Sequence, residues 1–423
     1  MTISSALLVV LSCVLAQSLG EVARYDNYRI YGVTVNTHED IKALQSLDGT
    51  SDGLIFIYMT SKLAEDSQIV VAPHKFADFE DYLKRNGMTC KVLAENLQQL
   101  IDMERRMMNL AKSRTQGFDF DNYHTLDEIH AWLKSLEQDH PDVVSVISAG
   151  NSYEGRDLLG VKLSHGAGRP AIFVESGIHA REWITPAATV FIVNELLTSE
   201  DEAVKDLAEN YDWYVFPSVN PDGYVYTHEK DRMWRKTRQP YGSCVGADAN
   251  RNWDFHWNEV GASNQPCSDT YAGPKAFSEP EALAVSSYAE KLKDQVKLYV
   301  SFHSFSQLLI FPNGYTAQHV DNHKDLKEIG DVAAKALAKR YGTKYTVGDI
   351  YSTIYPAAGT SIDYTKGVLG IDLSYCYELR PKNVFQGGFT LPAKQIRPTS
   401  LETLDSLVAL VNKAKELNYF GEN

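Results

Sequence analysis

Hydrophobic and polar positions alternate in three short runs near the N-terminus, Tyr28–Val35, Gly53–Tyr58 and Ile69–Ala72. That period predicts half-buried strands. Helical stretches near His38–Leu47 and Lys75–Arg85 separate them, so this part reads as a small α+β unit with an antiparallel sheet. From Leu93 to Leu110 the residues Leu93, Leu97, Leu100, Ile101, Met107 and Met108 follow roughly helical spacing. The pattern ends in AKSRTQGFDFDNYHT, where Lys112 and Arg114 precede a polar, glycine-containing stretch. A basic residue at such an exposed boundary is a site for a trypsin-like protease, because loop tips between packed units are open to cleavage.

Beyond Thr115 the pattern changes. Near-continuous apolar runs, Ala171–Val174, Trp213–Pro217 and Val296–Phe302, alternate with long helical segments such as Ala187–Leu197 and Pro280–Lys293. Strands apolar on both sides predict an α/β architecture: a mixed, largely parallel twisted sheet with helices on both faces. The extreme N-terminus, Ala6 to Ala16, is an apolar run of signal-peptide length followed by small residues, with cleavage expected after Gly20 or Ala16. It is shorter than the ~18–20 residues that span a bilayer. The expected organisation is a signal peptide over 1–20, an α+β unit over 21–114 and a larger α/β domain over 115–423, secreted and without a membrane anchor.

Composition narrows the function. The 423 residues carry 41 Lys+Arg against 55 Asp+Glu, a net charge of −14. That balance excludes a protein that grips nucleic acid mainly through phosphate neutralisation. Five cysteines are too few for a disulfide scaffold. Cys90 and Cys376 lie in segments read as buried strands, where a small apolar thiol suffices.

The segment AIFVESGIHAREW places His179 and Glu182 three apart just after a predicted strand. An imidazole and a carboxylate suit zinc, and catalytic zinc takes three protein ligands. The chain holds a second such pair, His256 and Glu259, set among Trp253, Phe255 and Trp257 with no strand delivering it, which reads as structural. A second strand, VKLYVSFHS, delivers His303, and a third, IDLSYCYELR, ends in Glu378. Sites in open α/β sheets cluster outside the carboxyl ends of strands. Arg232 and Arg235 lie in DRMWRKTR, which in isolation reads as a solvated charged surface; in GADANRNWD, Arg251 between two asparagines suits bidentate capture of a carboxylate.

With these residues in place the chain resembles the secreted pancreatic-type zinc metallocarboxypeptidases, the carboxypeptidase A/B group, over nearly its whole length. The resemblance rests on HTLDEI, GNSYEGR, GIHAREWITP, NPDGY, DRMWRKTR, DANRNWD, SFHSFSQLL, IYPAAGTSID and ELR, in family order. It implies that His179, Glu182 and His303 bind one zinc ion; carboxypeptidase A is itself a standard example of a His₂Glu catalytic site. It further implies that Asp248 orients a ligand histidine, that Glu378 activates the attacking water as general base, and that Arg235 stabilises the developing oxyanion. Asn250, Arg251 and Tyr355 match the holders of the substrate's terminal carboxylate, Arg181 an auxiliary substrate contact, and Cys244 and Cys267 the family's disulfide. The 21–114 unit matches an activation propeptide, so a monomeric zymogen is expected, dormant until a trypsin-like protease cuts near Arg114.

In this family one position selects the C-terminal side chain, acidic for Lys and Arg, apolar for aromatic and aliphatic residues. Here it is Ile362, with Ile350, Ile354, Ala357 and Gly314 at other pocket positions, so an A-type preference for peptides and proteins ending in apolar residues is expected. Phe305 stands where relatives commonly carry Tyr, and Cys376 where they carry a hydroxyl-bearing or small residue. The alternatives are a B-type enzyme or a catalytically silent peptide-binding relative. The second requires a lost ligand or base, yet His179, Glu182, His303, Glu378 and Arg235 are all present.

Overall fold

The computed structural model describes residues 21–49, 53–60, 62–112 and 117–421. The expected signal segment and the expected cut at Arg114 lie outside these residues. Strands β1 (Arg29–Val35), β2 (Leu54–Tyr58), β3 (Glu65–Val71) and β4 (Thr89–Ala94) form an antiparallel sheet in the order β2-β3-β1-β4. Alternate side chains go to opposite faces of a strand, and here both faces are used. Tyr31, Val33 and Val35 of β1, with Ile69 and Val71 of β3, pack on Ile41, Leu44, Phe79 and Leu83 from the helices His38–Gln45 and Phe76–Arg85. Ile30 and Val70 turn the other way and join Met233, Phe305 and Phe389 of the larger domain. The His38–Gln45 helix starts where expected because Thr37 and Asp40 form a capping box, the Asp40 N–H donating to Thr37 Oγ1 at 3.1 Å.

Two expectations fail in this part. Leu93 does not begin a helix; it belongs to β4, and the helix runs from Leu97 to Lys112. Pairing with β1 takes the chain through Ala94, and Asn96 Oδ1 then accepts the Gln98 N–H at 3.0 Å. Cys90 is exposed rather than buried, because β4 is an edge strand whose first four residues all face solvent. Cys376 is buried as expected.

The larger domain is built on an eight-stranded sheet in the order β13-β12-β14-β11-β7-β8-β6-β5. Its strands are β5 (Val144–Asn151), β6 (Asp157–Leu163), β7 (Ala171–Ser176), β8 (Asp212–Phe216), β11 (Val296–Ser304), β12 (Leu308–Phe311), β13 (Thr346–Asp349) and β14 (Leu373–Leu379). The central strands β14, β11, β7 and β8 run parallel, and antiparallel pairs appear at β12/β14, β6/β8 and β5/β6. Along β7, Ile172 and Val174 enter a core with the helices Ile184–Thr198, His323–Tyr341 and Ile396–Glu416. Ala171 and Phe173 enter a second core on the opposite face with Ala282, Val285 and Ala289 of the helix Pro280–Lys291. That double covering is why these strands read as apolar throughout. A short ribbon, β9 (Pro240–Tyr241) with β10 (Cys244–Val245), adjoins the Cys244–Cys267 disulfide. Among the described residues no helix is long and apolar enough to cross a membrane.

Candidate active site and family

Parallel strands bring the chemistry to one end of the sheet. Glu378 on β14 stands in direct register with His303 on β11. His179 lies three residues past the end of β7, beyond a turn at Gly177, which has φ +68°. A Cβ there would stand 3.2 Å from the Pro217 carbonyl oxygen and Ser218 Cα, so the turn favours glycine.

Donor atoms of His179, Glu182 and His303 all lie within 4.8 Å of one another, and all three residues are buried. The two Nδ1 atoms face each other at 3.0 Å, and Glu182 Oε1 is 3.0 Å from His179 Nδ1. Glu182 Oε2 accepts the Ser304 N–H at 3.0 Å, which fixes the carboxylate. On its far side, His179 Nε2 meets Asp248 Oδ1 at 3.0 Å, which leaves Nδ1 as the nitrogen turned toward Glu182 and His303. Burial, then the Arg235 charge, lowers the His179 pKa and keeps the ring neutral, as a ligand must be. Burial alone would raise the Glu182 carboxyl, but the His179 and His303 interactions outweigh it and hold it well below its usual range. Two imidazole nitrogens and an ionised carboxylate converging on one buried point form a donor set suited to a zinc-sized cation.

Arginines surround this cluster. Arg235 donates from Nη2 to Asp248 Oδ2 at 2.7 Å, and its Nη1 stands 3.8 Å from Glu182 Oε1. Despite burial, the Arg235 and Arg251 charges and the His179 hydrogen bond hold Asp248 well below the ordinary carboxylate range. Arg251 is fixed by the Gly261 and Asn250 carbonyls, each at 2.8 Å, and Tyr355 lies beside it with its ring centroid 5.7 Å from the guanidinium carbon. Asn250 is oriented by the Ser361 N–H, which donates to its Oδ1 at 2.9 Å. Next to this group opens an inner pocket walled by Ile310, Ile350, Ile354, Ala357, Ile362 and Cys376. Asp363 is turned away from it, accepting the Gly314 N–H at 2.9 Å.

The N-terminal domain roofs the cleft. A cavity of about 650 Å³ is lined on one side by Asp48, Phe56 and Tyr58 and on the other by His179, Glu182, Arg235, Arg251 and Glu378. Arg181 donates to the Phe56 carbonyl at 3.3 Å and to Asp269 at 3.1 Å, so here it holds the roof. Asp48 accepts from Ser268 at 2.6 Å and Thr270 at 3.1 Å. Arg232 makes a two-pronged ion pair with Glu104 of the Leu97–Lys112 helix, at 2.6 and 3.0 Å, with both side chains buried. This overturns the reading of DRMWRKTR as a solvated surface: Arg232, Met233 and Lys236 are buried, and Arg232 also donates to the Arg181 carbonyl at 2.8 Å. His256 pairs with Glu259 at 2.9 Å and stacks on Tyr315. Asp48, Glu104 and Asp269 went unnoticed in the sequence, because their partners lie 88 to 222 residues away.

Residues 129–406 match the model of the zinc carboxypeptidase family, and residues 31–104 match that of the carboxypeptidase activation peptide. The chain belongs to the zinc carboxypeptidase family. It is 49% identical to zinc carboxypeptidase A 1 of Anopheles gambiae over 417 residues, covering 98% of this chain and 96% of that protein. Carboxypeptidase B of the crayfish Astacus astacus is 46% identical over 302 residues, covering 70% of this chain and 99% of that one. Among solved structures, carboxypeptidase A from Helicoverpa armigera superposes with a TM-score of 0.86 at 29% identity, over 94% of this chain and 99% of that one. The chain is therefore a hydrolase made with an activation segment, and this zinc carboxypeptidase has the mixed sheet and separate antiparallel N-terminal domain expected from its sequence.

Proposed function

We propose that this zinc carboxypeptidase is a secreted zymogen that, once cut near Arg114, removes apolar and aromatic residues from the C-termini of peptides and proteins. The observation that carries the reading is the isoleucine-walled pocket beside Arg251 and Asn250, with Ile362 in its wall and Asp363 facing away. His179, Glu182 and His303 hold the zinc. Bound there, zinc supplies a Lewis acid for the scissile carbonyl and lowers the pKa of water it binds.

The remaining chemistry belongs to the chain's own groups. Arg251, Asn250 and Tyr355 take the terminal carboxylate and so place the last peptide bond beside Glu378. Glu378 removes a proton from the attacking water and returns it to the departing amine nitrogen. The Arg235 guanidinium, already fixed on Asp248, faces the carbonyl oxygen as charge develops, with no reorganisation needed during the step.

A substrate panel tests the specificity. On trypsin-treated protein, C-terminal Phe and Leu are expected to be released with at least ~100-fold higher kcat/KM than Lys and Arg, because an unpaired charge in an apolar pocket costs about 3 kcal/mol or more. Faster release of Lys and Arg would make the enzyme B-type. Arg251→Ala is expected to lower kcat/KM by about 10- to 100-fold, the worth of a charge-assisted hydrogen bond pair. Zinc content should be unchanged, and the preference for a free carboxylate over a C-terminal amide should collapse. Kinetics like those of the parent enzyme would remove Arg251 from the site.

A further inference from the structure

We propose that His319, His323 and Asp349 form a second cation site, of the zinc-binding class, separate from the catalytic cluster and attached to the wall of the specificity pocket. Each residue offers one ligand atom, and these atoms lie within 4.8 Å of one another. A zinc-class ion bound at about 2.0–2.1 Å in tetrahedral geometry needs donors roughly 3.3–3.5 Å apart. His323 Nε2 and Asp349 Oδ2 stand 3.8 Å apart, too far for a hydrogen bond and close to that spacing. The pair is therefore not closed on itself.

Neighbouring contacts leave His323 Nε2 and Asp349 Oδ2 facing each other. Asp349 is mostly buried, and its Oδ1 is committed to the Ser352 N–H at 2.8 Å, capping the turn Ile350–Thr353. That contact leaves Oδ2 for His323. The two imidazole rings lie 3.7 Å apart between centroids at a 34° tilt, a placement that two protonated rings would resist. Burial, then the neighbouring His319, pushes the His323 pKa down, favouring the neutral ring that binds metal. Phe311 packs edge-on against His323 with centroids 5.2 Å apart and limits its rotation. Lys327, one turn further along the helix, is engaged with both Asp331 oxygens at 2.6 Å and does not compete for Asp349. His319 is exposed, so an ion reaches the site from solvent.

An ion here joins two elements with different duties. His323 begins the long helix His323–Tyr341, whereas Asp349 begins the segment that carries Ile350, Ile354 and Tyr355 into the pocket. Binding would brace that wall from behind.

The test is a zinc titration of the intact proenzyme by equilibrium dialysis against metal buffers. One ion per chain is expected at nanomolar free zinc and a second at micromolar. The double variant His319→Ala, His323→Ala is expected to retain the first ion and lose the second. Cobalt titration gives a second readout, a d–d absorption band that grows with the second equivalent and is missing in the variant. As a folding control, His319→Gln with His323→Gln should match the parent's thermal midpoint at nanomolar zinc and also lack the second ion. A parent stoichiometry that stays at one through micromolar zinc, or a second ion retained by either variant, overturns the proposal.

Discussion

Glu378→Gln is expected to lower kcat by about 10²–10⁴-fold while leaving fold and zinc content intact, the span of effects attributed to general acid–base groups. The amide matches the carboxylate in size, so the change isolates proton transfer from packing. Glu378 is suited to the task by position: it sits in register with His303 on adjoining strands and lines the cavity. Burial, with Glu182 adding to the lift, raises its carboxyl to about 8 against the opposing pull of His303, Arg235 and Arg251. A bound divalent cation pulls in the same direction, keeping Glu378 ionised near neutrality. The active form is the deprotonated one, so kcat/KM should climb as pH rises through this pKa, and the Gln variant should lose that acid limb. Peptide hydrolysis, metal analysis and near-UV circular dichroism together check the result. Near-normal turnover by Glu378→Gln would remove it as the base.

Cleavage near Arg114 is expected to raise peptidase activity on the order of 100-fold or more, as follows when a roofed cleft admits substrate in about 1% of molecules. The roof is held by contacts of several kinds: the buried Arg232–Glu104 pair, Arg181 on the Phe56 carbonyl, Asp48 on Ser268 and Thr270, and the apolar set of Ile30, Val70, Met233 and Phe389. Breaking a buried ion pair by removing one partner typically costs 3–5 kcal/mol. Glu104→Ala should therefore raise the basal activity of the uncut chain. Equal activity before trypsin treatment and after the severed segment has been removed would overturn the zymogen reading.

Much of the site was legible because parallel strands deliver residues predictably. His303 and Glu378 close apolar runs, and His179 and Glu182 follow another, so the sequence alone places each at the carboxyl end of a strand. The layered fold was legible for the same reason, since Ala171–Val174 is apolar on both sides and must be covered on both. What escaped notice was set by distance and by burial against a second domain. DRMWRKTR has the composition of a wet surface, and only Glu104, 128 residues away from Arg232, makes it an interior segment. The strand around Cys90 was legible, but neither its exposure nor its run through Leu93 and Ala94 was, because Thr89, Cys90, Lys91 and Val92 all face solvent at the sheet edge and leave no alternation to mark a face. The His319 and His323 pair carried no signal, because its carboxylate comes from Asp349 across a helix.

The N-terminal sheet, buried on both faces, separates scission from release. Cutting the backbone near Arg114 removes no contact that Glu104, Asp48 or Ile30 makes with the cleft. The severed globule is therefore expected to stay on as a bound inhibitor, with the onset of activity timed by its escape rate. That clock should run faster on dilution, or when a second cut unravels the departing piece so that it cannot rebind.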